Sequence, residues 1–180
     1  MRAYKLFRIK DNVLYPLYVN ANIPTPLGKW LTAIPGERTE DGKVKSRLGK
    51  LSYRPGWHCS ARPIALHIGA KANPKDKLPS FRPVDQVWAE VEVMDEVDWQ
   101  PEADKQGKSP RDKQLKFVPK RGFYEYKTNP NMYGKWIIAG DIKVIRVLSD
   151  AEVTEINSDI EEDDLPREGT VNYSPNRRDI

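Results

Sequence analysis

KWIIAGDIKVIRVL, from Lys135 to Leu148, is interrupted once, at Gly140-Asp141. Its apolar residues are mostly Ile and Val, whose branched Cβ restricts χ1 and favours extended backbone. The spacing therefore predicts two strands joined at that break. Three further runs support a sheet around them. VWAEVEV (Val87–Val93) alternates strictly, with Val87, Ala89, Val91 and Val93 on one face and Trp88, Glu90 and Glu92 on the other. AYKLFRI (Ala3–Ile9) also alternates. VLYPLYV (Val13–Val19) follows a Lys-Asp-Asn turn, which predicts a hairpin, and Pro16 places its second strand at an edge. GFYEYKT (Gly122–Thr128) is the last strand expected.

Helices are harder to place. Fifteen prolines and eleven glycines cut the chain into short pieces, and proline inside a helix removes a donor and clashes with the preceding turn. RPIALHIGAK (Arg62–Lys71) is one candidate, starting at Pro63 and ending near Gly69. SDAEVTEIN (Ser149–Asn157) is the other, with Ser149 as N-cap and Glu152 three residues on. The polar stretches Gly36–Gly49 and Gln100–Gln114 read as exposed loops. The expectation is an α+β fold, mostly β, with compact antiparallel or mixed sheets and one or two short helices. A purely parallel sheet is excluded, because it needs crossover helices that the chain lacks.

The 180 residues suit one domain with a tail. Residues 151–180 carry nine acidic and three basic side chains, a net −6, which leaves +10 on residues 1–150. The expected organisation is a basic, mostly-β body over 1–150, then a short capped helix and an acidic, disordered tail over 151–180. A body this basic suits an acidic macromolecule, either nucleic acid or a host protein. No apolar run is long enough for a membrane span, the N-terminus lacks a signal-peptide pattern, and one cysteine suits a reducing compartment. A soluble protein of the cytoplasm is expected, with no membrane partner.

LSYRPGWHCSARPIALHIG, from Leu51 to Gly69, gathers both histidines and the only cysteine. Arg54 sits where a strand meets the Pro55-Gly56 turn, and its planar fork matches a phosphate bidentately. A surface ion pair is the alternative. His58 titrates near neutrality in its unperturbed state and is a candidate acid, base or hydrogen-bond donor, or else a structural histidine. His67, between Leu66 and Ile68, reads as structural. Zinc is not expected: His58, Cys59 and His67 offer three ligands, two of them adjacent, where a structural site takes four in paired spacing. Cys59 is not expected as a nucleophile, because adjacent strand residues point apart. Glu90, Glu92, Asp95, Glu96 and Asp98 could hold Mg²⁺, though a solvated strand face explains them as well. Glu125, between two tyrosines, is expected to be partly buried and to need a partner.

The order of these pieces resembles the ADP-ribosyltransferase fold between Leu51 and Leu148. LSYRPGW is similar to the family's strand ending in an arginine, ARPIALHIGAK to its nicotinamide segment, and VWAEVEVMDEVDW to its next strand. YEYKTNPNMYGKWIIAGDIKVIRVL resembles its catalytic glutamate and closing strand. The resemblance implies a transferase that uses NAD, with Glu125, His58 and Arg54 catalytic and with Tyr53, Arg54, Trp57, His58, Tyr124 and Tyr133 holding the cofactor. No metal is implied. The chain departs from the family in lacking the middle serine-threonine-serine element and in placing Phe123 two residues before Glu125. The YRPGWH and KTNP blocks also resemble uncharacterised domains of phage and mobile-element proteins, which implies a bacterial host.

Three functions stand open on the sequence. One is ADP-ribosyl transfer to a macromolecule. The second is a non-catalytic, phage-type module gripping nucleic acid or a host defence protein. The third is a metal-free ribonuclease using His58, with Lys127 or Arg54 steadying the phosphate.

Overall fold

A computed structural model describes residues 1–160. The expectation of an acidic, disordered tail falls mainly on residues 161–180, outside the described residues. Eleven strands dominate, with two short helices. In chain order they are β1 (Arg2–Lys10), β2 (Val13–Tyr15), β3 (Trp30–Thr32), β4 (Val44–Ser46), β5 (Gly49–Leu51), β6 (Trp57–Ser60), β7 (Gln86–Val93), β8 (Val97–Asp98), β9 (Gly122–Glu125), β10 (Trp136–Ala139) and β11 (Asp141–Val147). The helices are α1 (Gln100–Asp104) and α2 (Asp150–Ile156). The fold is mostly β with mixed pairing, as the strand patterns imply: β8 and β9 run parallel and the other pairs antiparallel.

The main sheet runs β3-β11-β7-β1-β6-β10-β9-β8, with β2 beside β1. Three strands, β7, β1 and β6, lie between β11 and β10 in this order, yet Gly140 alone joins β10 to β11 in the chain. The sheet must therefore curl round until its path returns to the same strand, and Lys135–Leu148 becomes one long strand bent at Gly140. The bend admits no side chain: a Cβ at Gly140 would stand 2.1 Å from the Pro119 carbonyl oxygen. The Gly140 amide donates to Gly122 O, and its carbonyl accepts from the Ala33 amide.

Alternation around this curl gives two apolar clusters. Ala3, Phe7, Cys59, Val87, Ala89, Val91, Val93, Ile137, Ala139, Ile142 and Val144 fill the inside. Leu6, Trp88, Tyr124, Tyr126, Trp136, Ile138 and Leu148 face the other way and pack under Ala103 of α1, Val153 of α2 and the loop residue Ala65. β7 is thus apolar on both faces at its Trp88 end. Glu90, expected on a solvated face, is 8% exposed and sits between Arg2 and Arg146. The ion pairs explain its burial.

The β1–β2 hairpin forms as its sequence implies, with Asp11 and Asn12 both at positive φ in a two-residue turn. β2 ends at Tyr15, before Pro16. The α2 helix carries the expected capping box from Ser149 and Glu152. Three expectations fail. Arg62–Lys71 is not a helix: Ile64, Ala65 and Leu66 are buried in succession, and the carbonyls of Ala65 and Ile68 accept from the Arg82 guanidinium. Gly36–Gly49 is not only a loop, because β4 pairs β5 in a separate two-stranded sheet anchored by buried Val44. Gln100–Gln114 contains α1, which Pro101 helps to start and whose Ala103 is buried.

Candidate functional site

His58 lies on β6 between two fixed partners. Its Nε2 is 3.1 Å from the carbonyl of Arg54, and its Nδ1 is 3.0 Å from the Tyr126 hydroxyl. A carbonyl only accepts, so Nε2 carries the proton and Nδ1 accepts from Tyr126. Both ring nitrogens are spent. Burial, with the nearby charges of Arg54 and Lys5, pushes the imidazole down to about 3. A neutral ring held this way braces the turn and has no free nitrogen for acid–base chemistry, so the ribonuclease reading loses its base. His67 packs edge-on against Trp136 and is pushed down to about 4 by burial.

Arg54 donates to Thr128 Oγ1 at 3.2 Å, its Nε is buried without a partner, and no carboxylate among the described residues pairs with it. Gly56 makes the turn below it: its φ is +136°, and a Cβ there would meet Ile138 Cγ2 at 2.4 Å. Cys59 is fully buried and its thiol is pushed up to about 11 by burial, which makes it inert. Among the described residues no three His, Cys, Asp or Glu side chains cluster as metal ligands.

Glu125 does not join Arg54 and His58. The register places His58, Ile138 and Tyr124 side by side on one sheet face and Cys59, Ile137 and Glu125 on the other. Glu125 is exposed rather than partly buried, and it pairs with Lys135 at 2.9 Å. Several of the residues assigned to a dinucleotide are committed elsewhere. The Trp57 indole donates to Leu31 O. Tyr124 is fully buried, and its hydroxyl accepts from the Leu115 amide. Tyr133 packs against Ile64 and Leu66. Trp57, Tyr124 and Tyr133 are thus engaged by the protein's own groups.

Tyr53 leads to a different site. It lines a cleft of about 730 Å³ with Thr32, Ile34, Trp99, Lys116, Phe117 and Lys120. Phe117 is 47% exposed and meets Trp99 edge-to-face at 5.4 Å. The Arg38 guanidinium lies 3.6 Å over the Tyr53 ring, and Lys116 donates to the Tyr53 carbonyl. No carboxylate lines the cleft. Arg54 follows Tyr53 directly in the chain but turns away from this cleft, toward Thr128, Tyr124 and Tyr126. Glu125 instead lines a second cleft, of about 560 Å³, with Gln100, Asp104, Lys113, Lys127 and Lys135.

Lys116, Phe117 and Lys120 lie in no strand, helix or motif that the sequence marks. Their signal is the interleaving of bases and an aromatic in QLKFVPKRGF, ahead of a strand. Trp99 follows the carboxylates Asp95, Glu96 and Asp98 in the chain, which mask it as a stacking residue. No helix among the described residues is long and apolar enough to cross a membrane. Comparison with protein-family models, with curated proteins and with solved structures finds no match to this chain.

Proposed function

We propose that this protein is a non-catalytic nucleic-acid-binding module that holds a single strand in the cleft formed by Tyr53, Trp99, Lys116, Phe117 and Lys120. The observation that carries this reading is the exposed Phe117 ring, set edge-on to Trp99 beside Lys116 and Lys120 in one open groove whose lining holds no carboxylate, with the buried Tyr53 as its floor. Stacking on aromatic faces and cations tracking the backbone are the two ingredients of sequence-tolerant single-strand binding. Phe117 offers an exposed ring face, Arg38 offers its own plane above Tyr53, and Lys116 and Lys120 supply positive charge to phosphates. The net +10 of residues 1–150 supports the same reading.

ADP-ribosyl transfer needs a carboxylate beside the arginine and histidine, to stabilise the positive charge that develops on the ribose. The exposed Glu125–Lys135 pair on the other sheet face does not support it. The experiment is fluorescence anisotropy of a labelled single strand against the full chain. Phe117→Ala weakens binding about tenfold, in line with one lost stacking partner, and Glu125→Gln leaves it unchanged. Equal binding by wild type and Phe117→Ala would overturn the assignment of the groove. Tight binding of NAD that is lost in Glu125→Gln would restore the transferase reading.

A further inference from the structure

We propose that the β4–β5 hairpin is a wedge, and that the ligand of the groove is a single strand emerging from a duplex end, with Leu48 packed on the terminal base pair. This inference rests on the nucleic-acid reading and narrows it to a junction. Leu48 is 67% exposed, the highest value among the large apolar residues that face solvent in the described chain. It does not sit on a loose loop. Ser46 Oγ donates to Gly49 O at 2.7 Å, the Leu48 amide donates to that same Oγ at 3.0 Å, and the Arg47 amide donates to Tyr18 O at 3.1 Å. Val44, 2% exposed, roots the hairpin in the body. The tip is therefore rigid and presents an isobutyl group to water.

The legs of this hairpin are basic, with Lys43, Lys45, Arg47 and Lys50 all exposed. Lys45 and Lys50 pair with Glu37 and Asp41 across exposed surface, where such pairs are weak and readily exchanged for phosphates. An apolar tip flanked by cations is the arrangement that enters or caps a base stack in architectural DNA-binding proteins.

Position in the chain ties this tip to the groove. β5 runs from the tip straight to Tyr53, and Arg38, on the approach to β4, stacks on the Tyr53 ring. Four residues separate Leu48 from Tyr53, five steps along the chain that span at most about 17 Å, or about five nucleotides of strand.

The test measures anisotropy with three labelled probes on the full chain: a single strand, a blunt duplex, and that duplex carrying a single-stranded arm of about five nucleotides. The armed duplex is expected to bind about tenfold tighter than either other probe. Leu48→Ala, at an exposed site that leaves the core intact, should abolish that preference and keep the affinity for the single strand. Equal affinity for the armed duplex and the single strand would overturn the wedge, as would a preference that survives Leu48→Ala; in both cases the groove reading stands. Failure of every probe to bind would overturn the groove reading and the wedge together.

Discussion

His58 shows how a residue chosen for its chemistry can turn out to hold the scaffold. Its position after the Arg54-Pro55-Gly56 turn was plain in the sequence, and so was its titratable ring. What the sequence did not give away is that Tyr126, sixty-eight positions later, reaches its Nδ1. The consequence is a pH dependence of stability. His58 and His67 are pushed down to about 3 and about 4 in the folded chain, while each titrates near 6.5 when unfolded. Between those values the unfolded chain binds more protons than the folded one, so acid favours unfolding. The stability contributed by these neutral rings is complete above pH 6.5 and is lost as pH falls toward 4. Urea midpoints measured at pH 7, 5.5 and 4.5 should fall in that order. His67→Gln should give a shallower decline, and a flat profile in the wild type would contradict the assignment.

Glu125 carries the complementary lesson. Its neighbours Tyr124 and Tyr126 are deeply packed, so a carboxylate between them looked enclosed. Alternation along β9 sends it to the opposite face, at the strand end, where Lys135 meets it in the open. The sequence showed the alternation, but not which side the body would cover.

At the scale of elements, the strands that could be read were those whose own residues specify them. Val87–Val93 and Lys135–Leu148 carry branched side chains at the right period, and the Ser149 capping box fixes where α2 begins. Arg62–Lys71 failed because a distant residue, Arg82, supplies the hydrogen bonds that a helix would have made internally. β4 and β5, at three residues each, are too short for a period to show. The joint between β10 and β11 is the element on which the architecture turns. Gly140→Ala would drive a Cβ into the Pro119 carbonyl at 2.1 Å, so the backbone must shift. Thermal unfolding should show a loss of about 2 kcal/mol or more. Ser149→Ala, which removes only a cap, should lose about 1 kcal/mol. If Gly140→Ala were as stable as the wild type, the bent strand would not be the constraint that curls the sheet.

For the whole molecule, charge and the aromatic cleft form one argument. The excess of cations over residues 1–150 was visible from composition alone, and it pointed to polyanions without saying where they bind. The location required the fold, because Tyr53, Trp99 and Lys116–Lys120 come from three separated segments brought together beside β3 and β9. Stacking residues are hard to tell from core residues in a sequence. Phe117 and Tyr124 look alike there, yet one is 47% exposed and the other is fully buried. The proposed β4–β5 wedge adds a second surface, joined to the cleft through Tyr53 and Arg38, and gives the molecule a reason to prefer a junction.

The most direct test of the central claim is the salt dependence of single-strand binding by the full chain. If Arg38, Lys116 and Lys120 meet phosphates, log K against log salt should be linear with a slope of about −2. The slope should become shallower by about one unit when Lys116 and Lys120 are both changed to Ala. Binding that does not respond to salt, or a slope untouched by those two substitutions, would contradict the account.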